Sequence, residues 1–119
     1  MIFGVGIDMI EVNRIQEKIE KNNGFKELVF SKNEMNYCEK SANKFEHYAA
    51  RFAAKEAFLK ALGTGLTSEI TLNDIEILND SNGKPQLNLA ANTNIKYSKI
   101  FVSISHLKSI ASAVVIIEI

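Results

Sequence analysis

Apolar residues recur along this chain at two different periods, and the change between them falls near its middle. Ile2 to Ile7 is a short apolar stretch bounded by Gly and Asp, which reads as a strand starting almost at the first residue. From Glu11 to Asn22 the period turns helical: Val12, Ile15 and Ile19 share one face, and Gly24 marks the end. Ser31-Lys32-Asn33-Glu34 has the capping-box pattern, serine as N-cap and glutamate three residues on, and opens a short helix toward Glu39. A long helix is predicted from Phe45 to Leu62, with Gly63 as the left-handed residue that stops it.

Beyond Gly65 the pattern becomes that of strands. Ile70, Leu72, Ile75 and Ile77 sit among polar residues and predict a strand from Thr71 to Leu78. The run Asn79 to Pro85 is dense in turn formers, so Gln86 to Leu89 is predicted to return as a hairpin arm. Ala90 to Tyr97 carries a weak helical pattern and is predicted as a short helix. Ile100 to Leu107 sets Ile100, Val102 and Ile104 against Phe101, Ser103 and Ser105, and Ala111 to Ile119 is strongly β-branched. Separated by a few residues near Lys108 and Ser109, these two segments predict a C-terminal hairpin. The result is one α+β domain over residues 1–119, a mostly antiparallel sheet packed against a long central helix. The apolar last strand is expected to be covered on both faces, by its own helices or by another subunit.

The central helix poses a problem of burial. It is apolar almost all the way round, as buried helices are, yet Glu56 sits in its middle, between Phe52 and Ala49 on one side and Lys60 and Ala53 on the other. A buried carboxylate is costly unless paired, hydrogen-bonded or metal-bound. The Glu56/Lys60 spacing is that of an ordinary helix salt bridge, but the apolar surroundings predict that the pair is enclosed. Asp8, ending the first strand, reads equally as a helix cap or as a second oxygen ligand. Two carboxylates with water and phosphate oxygens are how proteins usually hold Mg²⁺, and Lys60 beside them would act as a point charge on the same phosphates.

Composition narrows the field. With 46% hydrophobic and 24% charged residues in 119, the chain has the make-up of a soluble globular domain. Lys+Arg and Asp+Glu both total 14, so no overall charge favours nucleic acid or a membrane surface. The longest apolar run, Ala113 to Ile117, is too short to span a bilayer. The first residues lack the features of a signal peptide. Cys38 is the only cysteine, so it has no disulfide partner in the chain and reads as a spare thiol. A cytoplasmic protein is expected.

Two further features carry candidate chemistry. In Ser103-Ile104-Ser105-His106, alternation puts Ser103 and Ser105 on one strand face and His106 on the other or at the turn. A Ser-His nucleophilic pair is therefore disfavoured, and phosphate contact is the better reading. Arg14, Lys18 and Lys21 follow i, i+4, i+7 beside the apolar face of the first helix. Such a stripe is either a solvated face or a dock for an acidic amphipathic helix.

Taken together, these residues resemble one family. Gly6-Ile7-Asp8-Met9-Ile10-Glu11-Val12-Asn13-Arg14-Ile15 is similar to the N-terminal motif of the small bacterial 4′-phosphopantetheinyl transferases, the holo-acyl-carrier-protein synthases. Arg51 to Gly65 resembles their central Phe-x-x-Lys-Glu-Ala-x-x-Lys-Ala motif followed by Gly-Thr-Gly. Ser103 to His106, followed by Ala111-x-Ala113-Val114-Val115, is similar to their C-terminal signature. The three motifs stand in the family's order and span nearly the whole chain.

The resemblance implies transfer of the 4′-phosphopantetheine arm from coenzyme A to a serine of an acyl carrier protein, in fatty acid biosynthesis. It implies Asp8 and Glu56 as Mg²⁺ ligands, Lys60 as a phosphate contact, and Gly63, Ser105 and His106 as coenzyme A contacts, His106 at the nucleotide end. Arg14, Lys18 and Lys21 would dock the carrier protein's acidic helix. A homotrimer with active sites between subunits is implied as well, and would explain the apolar last strand. Larger, two-lobed relatives carry another carboxylate where this chain has Ile10, so a water is expected at that coordination site. For the base, Glu56 acting through a metal-bound water is the first candidate and Asp8 the second. Two other classes compete: a non-catalytic coenzyme A-binding module, which has no use for paired carboxylates, and a Mg²⁺-dependent phosphohydrolase, which would use water as the nucleophile.

Overall fold

The first strand, β1 (Ile2–Glu11), outruns its apolar stretch, because Asp8 to Glu11 go on pairing with the last strand. The computed structural model describes residues 1–63 and 70–119. After β1 come four helices: α1 (Val12–Glu20), α2 (Phe25–Val29), α3 (Lys32–Glu39) and α4 (Lys44–Leu62). A 3₁₀ turn at Leu72–Asp74 then leads into β2 (Ile75–Asn79), β3 (Pro85–Leu89), β4 (Lys99–His106) and β5 (Ile110–Glu118). The pairs β1–β5, β2–β3 and β4–β5 are antiparallel. β5 lies between β1 and β4 in one sheet, and β2 and β3 form a separate hairpin.

Most predicted elements are present, with three corrections. Gly24, at φ +93°, does not end α1, which stops at Lys21; it precedes α2, a five-residue helix that the sequence pattern missed. Thr71 to Asp74 form a capped 3₁₀ turn, since the Asp74 carboxylate accepts from the Thr71 backbone N–H, and the strand starts only at Ile75. No helix forms between Ala90 and Tyr97. Cys38, read as a spare thiol, is fully buried, and burial pushes its pKa up to about 12, which makes it a poor nucleophile.

Helix α4 crosses the sheet and is the centre of the core. Its alanines, Ala53, Ala54, Ala57 and Ala61, bury against Val115 and Ile117 of β5 and Ile75 and Ile77 of β2. The closest approach is to β1. A Cβ added at Gly4 would lie 1.9 Å from the Ala61 carbonyl oxygen, and one at Gly6 1.9 Å from that of Ala57. No side chain fits between strand and helix at either position. A second cluster joins Val12 and Ile15 of α1, Phe30, Cys38 and Tyr48, with the Phe30 and Tyr48 rings 4.8 Å apart. Between the clusters lies a fully buried ion pair. Lys55 Nζ donates to Glu34 Oε1 at 2.7 Å and to the carbonyls of Val29 and Leu72, while Glu34 Oε2 accepts from the Ile77 N–H at 2.8 Å.

The opposite face of the sheet is bare. Val5, Ile7 and Met9 of β1 are 57%, 64% and 64% exposed, and Phe101 of β4 is 47% exposed. They adjoin Val114 and Ile116 of β5, which pair with Ile7 and Val5. So within one copy α4 covers only one face of the last strand.

Candidate active site

Alternation along β1 sends Gly4, Gly6 and Asp8 to the α4 side and Val5, Ile7 and Met9 outward. The glycines let the helix settle onto the strand. As the strand advances from Gly4 to Gly6, the contact on α4 steps back from Ala61 to Ala57, which leaves Asp8 beside the turn that carries Glu56. Asp8 is thus a strand residue aimed at the helix and not a cap; Glu11 holds the N-cap position of α1 and makes no side-chain cap bond.

Lys60 completes the group from the next turn of α4. Side chains on a helix lean toward its N-terminus, and Lys60 Nζ donates to Asp8 Oδ1 and to the Ile7 carbonyl, each at 3.0 Å. The expected Glu56–Lys60 pairing gives way to this cross-element bridge, and its expected enclosure fails too: the Lys60 side chain is 56% exposed. Glu56 is half-buried. Burial pushes its carboxyl above the ordinary range, the Asp8 charge pushes the same way, and Lys60 offsets part of the shift. Two carboxylates crowded in this way form an oxygen-donor pair whose mutual repulsion a hard divalent cation would relieve. Among the described residues no cluster of three or more His, Cys, Asp or Glu side chains forms a metal cage, so this pair fits an ion that takes its remaining oxygens from elsewhere. Ile10, two residues after Asp8, is partly buried against both core clusters.

A cavity of about 190 Å³ lies on the other flank of α4, lined by Tyr37, His47, Arg51, Asn79, Gly83 and His106 among others. His106 Nδ1 is 2.9 Å from Glu46 Oε1, and this contact holds the Glu46 carboxyl below the usual range. Arg51 is buried over the Tyr37 ring, 4.2 Å from its centroid, and donates through Nη2 to Asn79 Oδ1 at 2.7 Å. Its buried Nε finds no acceptor among the described residues. Glu56 and Arg51 are five residues apart, which turns them about 140° around the helix. The sheet repeats this separation: Asp8 pairs with Ala113 of β5, and Ala113 pairs in turn with Ile104 of β4, two residues before His106.

The remaining predicted residues are distributed as follows. Gly63 closes α4 at φ +86°, and a Cβ added there would meet nothing within 4 Å among the described residues; Thr64 and Gly65 lie outside the described residues. Ser103 and Ser105 are on the exposed sheet face, away from His106, as alternation requires. Arg14, Lys18 and Lys21 are exposed on α1, with Lys18 Nζ 5.6 Å from the centre of the Phe25 ring. Sequence reasoning missed Arg51, although the argument applied to Glu56, a charge among apolar helix positions, would have found it. Nothing local singles out His47, Tyr37 or Asn79.

Residues 4–115 match the family model of the 4′-phosphopantetheinyl transferase superfamily. The chain belongs to that family. Among the relatives of this transferase, the holo-[acyl-carrier-protein] synthase of Geobacter sulfurreducens is 44% identical over 124 residues, covering 99% of this chain and 98% of its own. That of Cytophaga hutchinsonii is 58% identical over 85 residues, 71% of this chain and 67% of its own. Among solved structures, the Bacillus anthracis holo-(acyl-carrier-protein) synthase in complex with CoA (3′,5′-ADP) superposes with a TM-score of 0.85 at 42% identity, covering 99% and 97% of the two chains. The Neisseria meningitidis enzyme superposes at 0.91 with 29% identity, covering 100% of both. The antiparallel sheet against a long central helix is the fold of these synthases, and the chain is an enzyme of their phosphopantetheinyl transferase family.

Proposed function

We propose that this transferase moves the 4′-phosphopantetheine arm of coenzyme A onto a serine of an apo-acyl carrier protein, in a Mg²⁺-dependent reaction that serves fatty acid biosynthesis in the cytoplasm. The observation that carries the reading is the meeting of Asp8, Glu56 and Lys60, from two separate elements, on one flank of α4. The serine oxygen attacks the phosphorus that bears the pantetheine, and the bond from that phosphorus to the bridging oxygen breaks. The electron pair leaves on adenosine 3′,5′-bisphosphate. Glu56, whose carboxyl burial pushes above its ordinary range, takes the serine proton. Lys60, long and exposed, swings from Asp8 to the pyrophosphate oxygens as a point charge. Asp8 and Glu56 would hold Mg²⁺, which when bound offsets the charge growing on the leaving pyrophosphate oxygen.

The nucleotide end of coenzyme A goes to the cavity of Arg51 and His106, where a buried guanidinium nitrogen lacks an acceptor among the described residues. One ligand must then reach both flanks of α4, which helix and sheet keep apart within a copy. Joining one copy's carboxylate flank to another's cavity makes a head-to-tail contact of the kind that closes into rings, here a homotrimer. The bare face of Val5, Ile7, Met9 and Phe101 supplies apolar surface for it and brings Ser105 toward a neighbour's ligand, while the exposed Gly63 lets coenzyme A approach the end of α4. The exposed Arg14, Lys18 and Lys21 receive the acidic carrier protein.

The test is incubation with coenzyme A, Mg²⁺ and apo-acyl carrier protein, followed by mass spectrometry of the carrier. A phosphopantetheine adduct is expected. Coenzyme A cleavage without adduct would instead make the protein a phosphohydrolase, and binding without cleavage a coenzyme A-binding module.

A further inference from the structure

His47 projects from α4 into the same cavity, between two rings: its centroid is 5.6 Å from that of Tyr37 of α3 and 5.3 Å from that of His106 of β4, both edge-on. The charged and titratable groups around it are Tyr37, His106, Arg51 one turn on along α4, and the neighbouring Glu46. Their charges do not cancel. Glu46 is already hydrogen-bonded to His106 at 2.9 Å, and Arg51, whose Nε finds no acceptor among the described residues, brings a positive charge to the cavity. A second cation beside it is unfavourable while the cavity holds no anion. A phosphomonoester carries close to two negative charges near neutral pH, and Arg51 together with an imidazolium at position 47 would balance both.

We propose that His47 is a proton-linked phosphate contact, neutral in the empty cavity and protonated when the phosphomonoester of the coenzyme A nucleotide end enters, so that nucleotide affinity falls as pH rises. The proposal rests on the reading that this cavity receives the nucleotide end. Burial, then His106, then Arg51 hold the His47 imidazole below its ordinary value, with Glu46 opposing, the state expected before an anion arrives. Binding raises that value. Affinity is then highest below the free-state value, and its loss is complete above the bound-state one.

The experiment is calorimetric titration of adenosine 3′,5′-bisphosphate into the wild type, His47→Phe and Arg51→Gln, between pH 6 and 8.5 and in buffers of different ionisation enthalpy. Phenylalanine keeps an aromatic ring between Tyr37 and His106 and cannot take a proton. The ligand's own ionisation is common to all three proteins and drops out of the comparison. The wild type is expected to take up more protons on binding than His47→Phe, and to lose about tenfold more affinity across the range. Equal proton uptake and equal pH slopes would overturn the proposal while leaving the nucleotide subsite standing. Undiminished binding by Arg51→Gln would overturn the subsite itself. As a check that needs no variant, the His47 imidazole resonance of the wild type, titrated with and without the nucleotide, should shift its midpoint upward; an unmoved midpoint counts against the role.

Discussion

Lys60 Nζ lies 3.0 Å from Asp8 Oδ1 and so ties α4 to β1, although Glu56 stands one helical turn away on its own helix. This choice of partner leaves Glu56 half-buried beside a second carboxylate, with only partial relief from the lysine. The site therefore stores repulsion that a bound cation would discharge.

That repulsion gives opposite signs for stability and activity. The Glu56 carboxyl is raised in the folded protein, so its ionisation opposes folding; the penalty is absent below the unfolded carboxylate range and complete above the folded value. Glu56→Gln should melt higher near pH 7, with the gain vanishing as pH falls below the unfolded carboxylate range. It should also lose at least about a hundredfold in transfer rate, as should Asp8→Ala. Thermal melts at both pH values and a transfer assay check this. A Gln variant of unchanged activity would remove Glu56 from the mechanism.

Gly6→Ala would place a methyl group where the Ala57 carbonyl oxygen stands, 1.9 Å away. Strand and helix must then separate, at a cost of about 3 kcal/mol, and Asp8 moves off with the strand. Urea denaturation should show a lower midpoint with an unchanged slope. A cost below about 0.5 kcal/mol would mean that the contact yields easily.

Lys55→Met should be among the most damaging changes in the protein, about 3–5 kcal/mol, because it strands the Glu34 carboxylate in the core. Glu34→Gln in the same background should recover part of the loss, and a double-mutant cycle measures how much. No recovery would show that the lysine matters for its bonds to Val29 and Leu72 and not for the charge it meets.

Reversal of Arg14 and Lys18 to Glu should raise KM for the carrier protein more than about tenfold, less so in high salt, and leave KM for coenzyme A unchanged. Steady-state kinetics at two ionic strengths decide it. Equal losses for both substrates would point to a distorted site and not to a lost dock.

Ile7→Asp puts a charge on the bare sheet face without touching the α4 side. Light scattering should show a trimer in the wild type and a smaller species in the variant, with transfer lost because the two flanks no longer meet. A monomer that transfers at the wild-type rate would contradict a shared site.

The alternation at Ile100, Val102 and Ile104 and the β-branched run after Ala111 were enough to read the C-terminal hairpin, since a strand shows its two faces in the order of its residues. The capping box at Ser31 and Glu34 was legible for the same reason: its bonds close within four residues. Even there the reading was incomplete, because Glu34 also accepts from Ile77 and pairs with Lys55, two contacts made far along the chain. Helix α2 and the irregular stretch from Ala90 to Tyr97 escaped because short segments have too few positions for a period to show. The chemistry of Asp8, Glu56 and Lys60 was legible as residue types in motifs. Their pairing was not, nor was the Arg51 cavity.

What the sequence determined by itself is therefore whatever is encoded at short range: strand and helix periods, the stop at Gly63, the apolar faces, and the motifs that carry the family resemblance. Only the tertiary structure decided which faces meet. Two glycines without side chains allow α4 onto β1, and that approach aims Asp8 at Glu56 and brings Lys60 within reach of it. The turn of the helix then sets Arg51 and His47 on the opposite flank from the carboxylates. Burial, ion pairing and the perturbed protonation of Glu56 and His47 follow from these distances, and such distances are set by packing between segments that lie far apart along the chain.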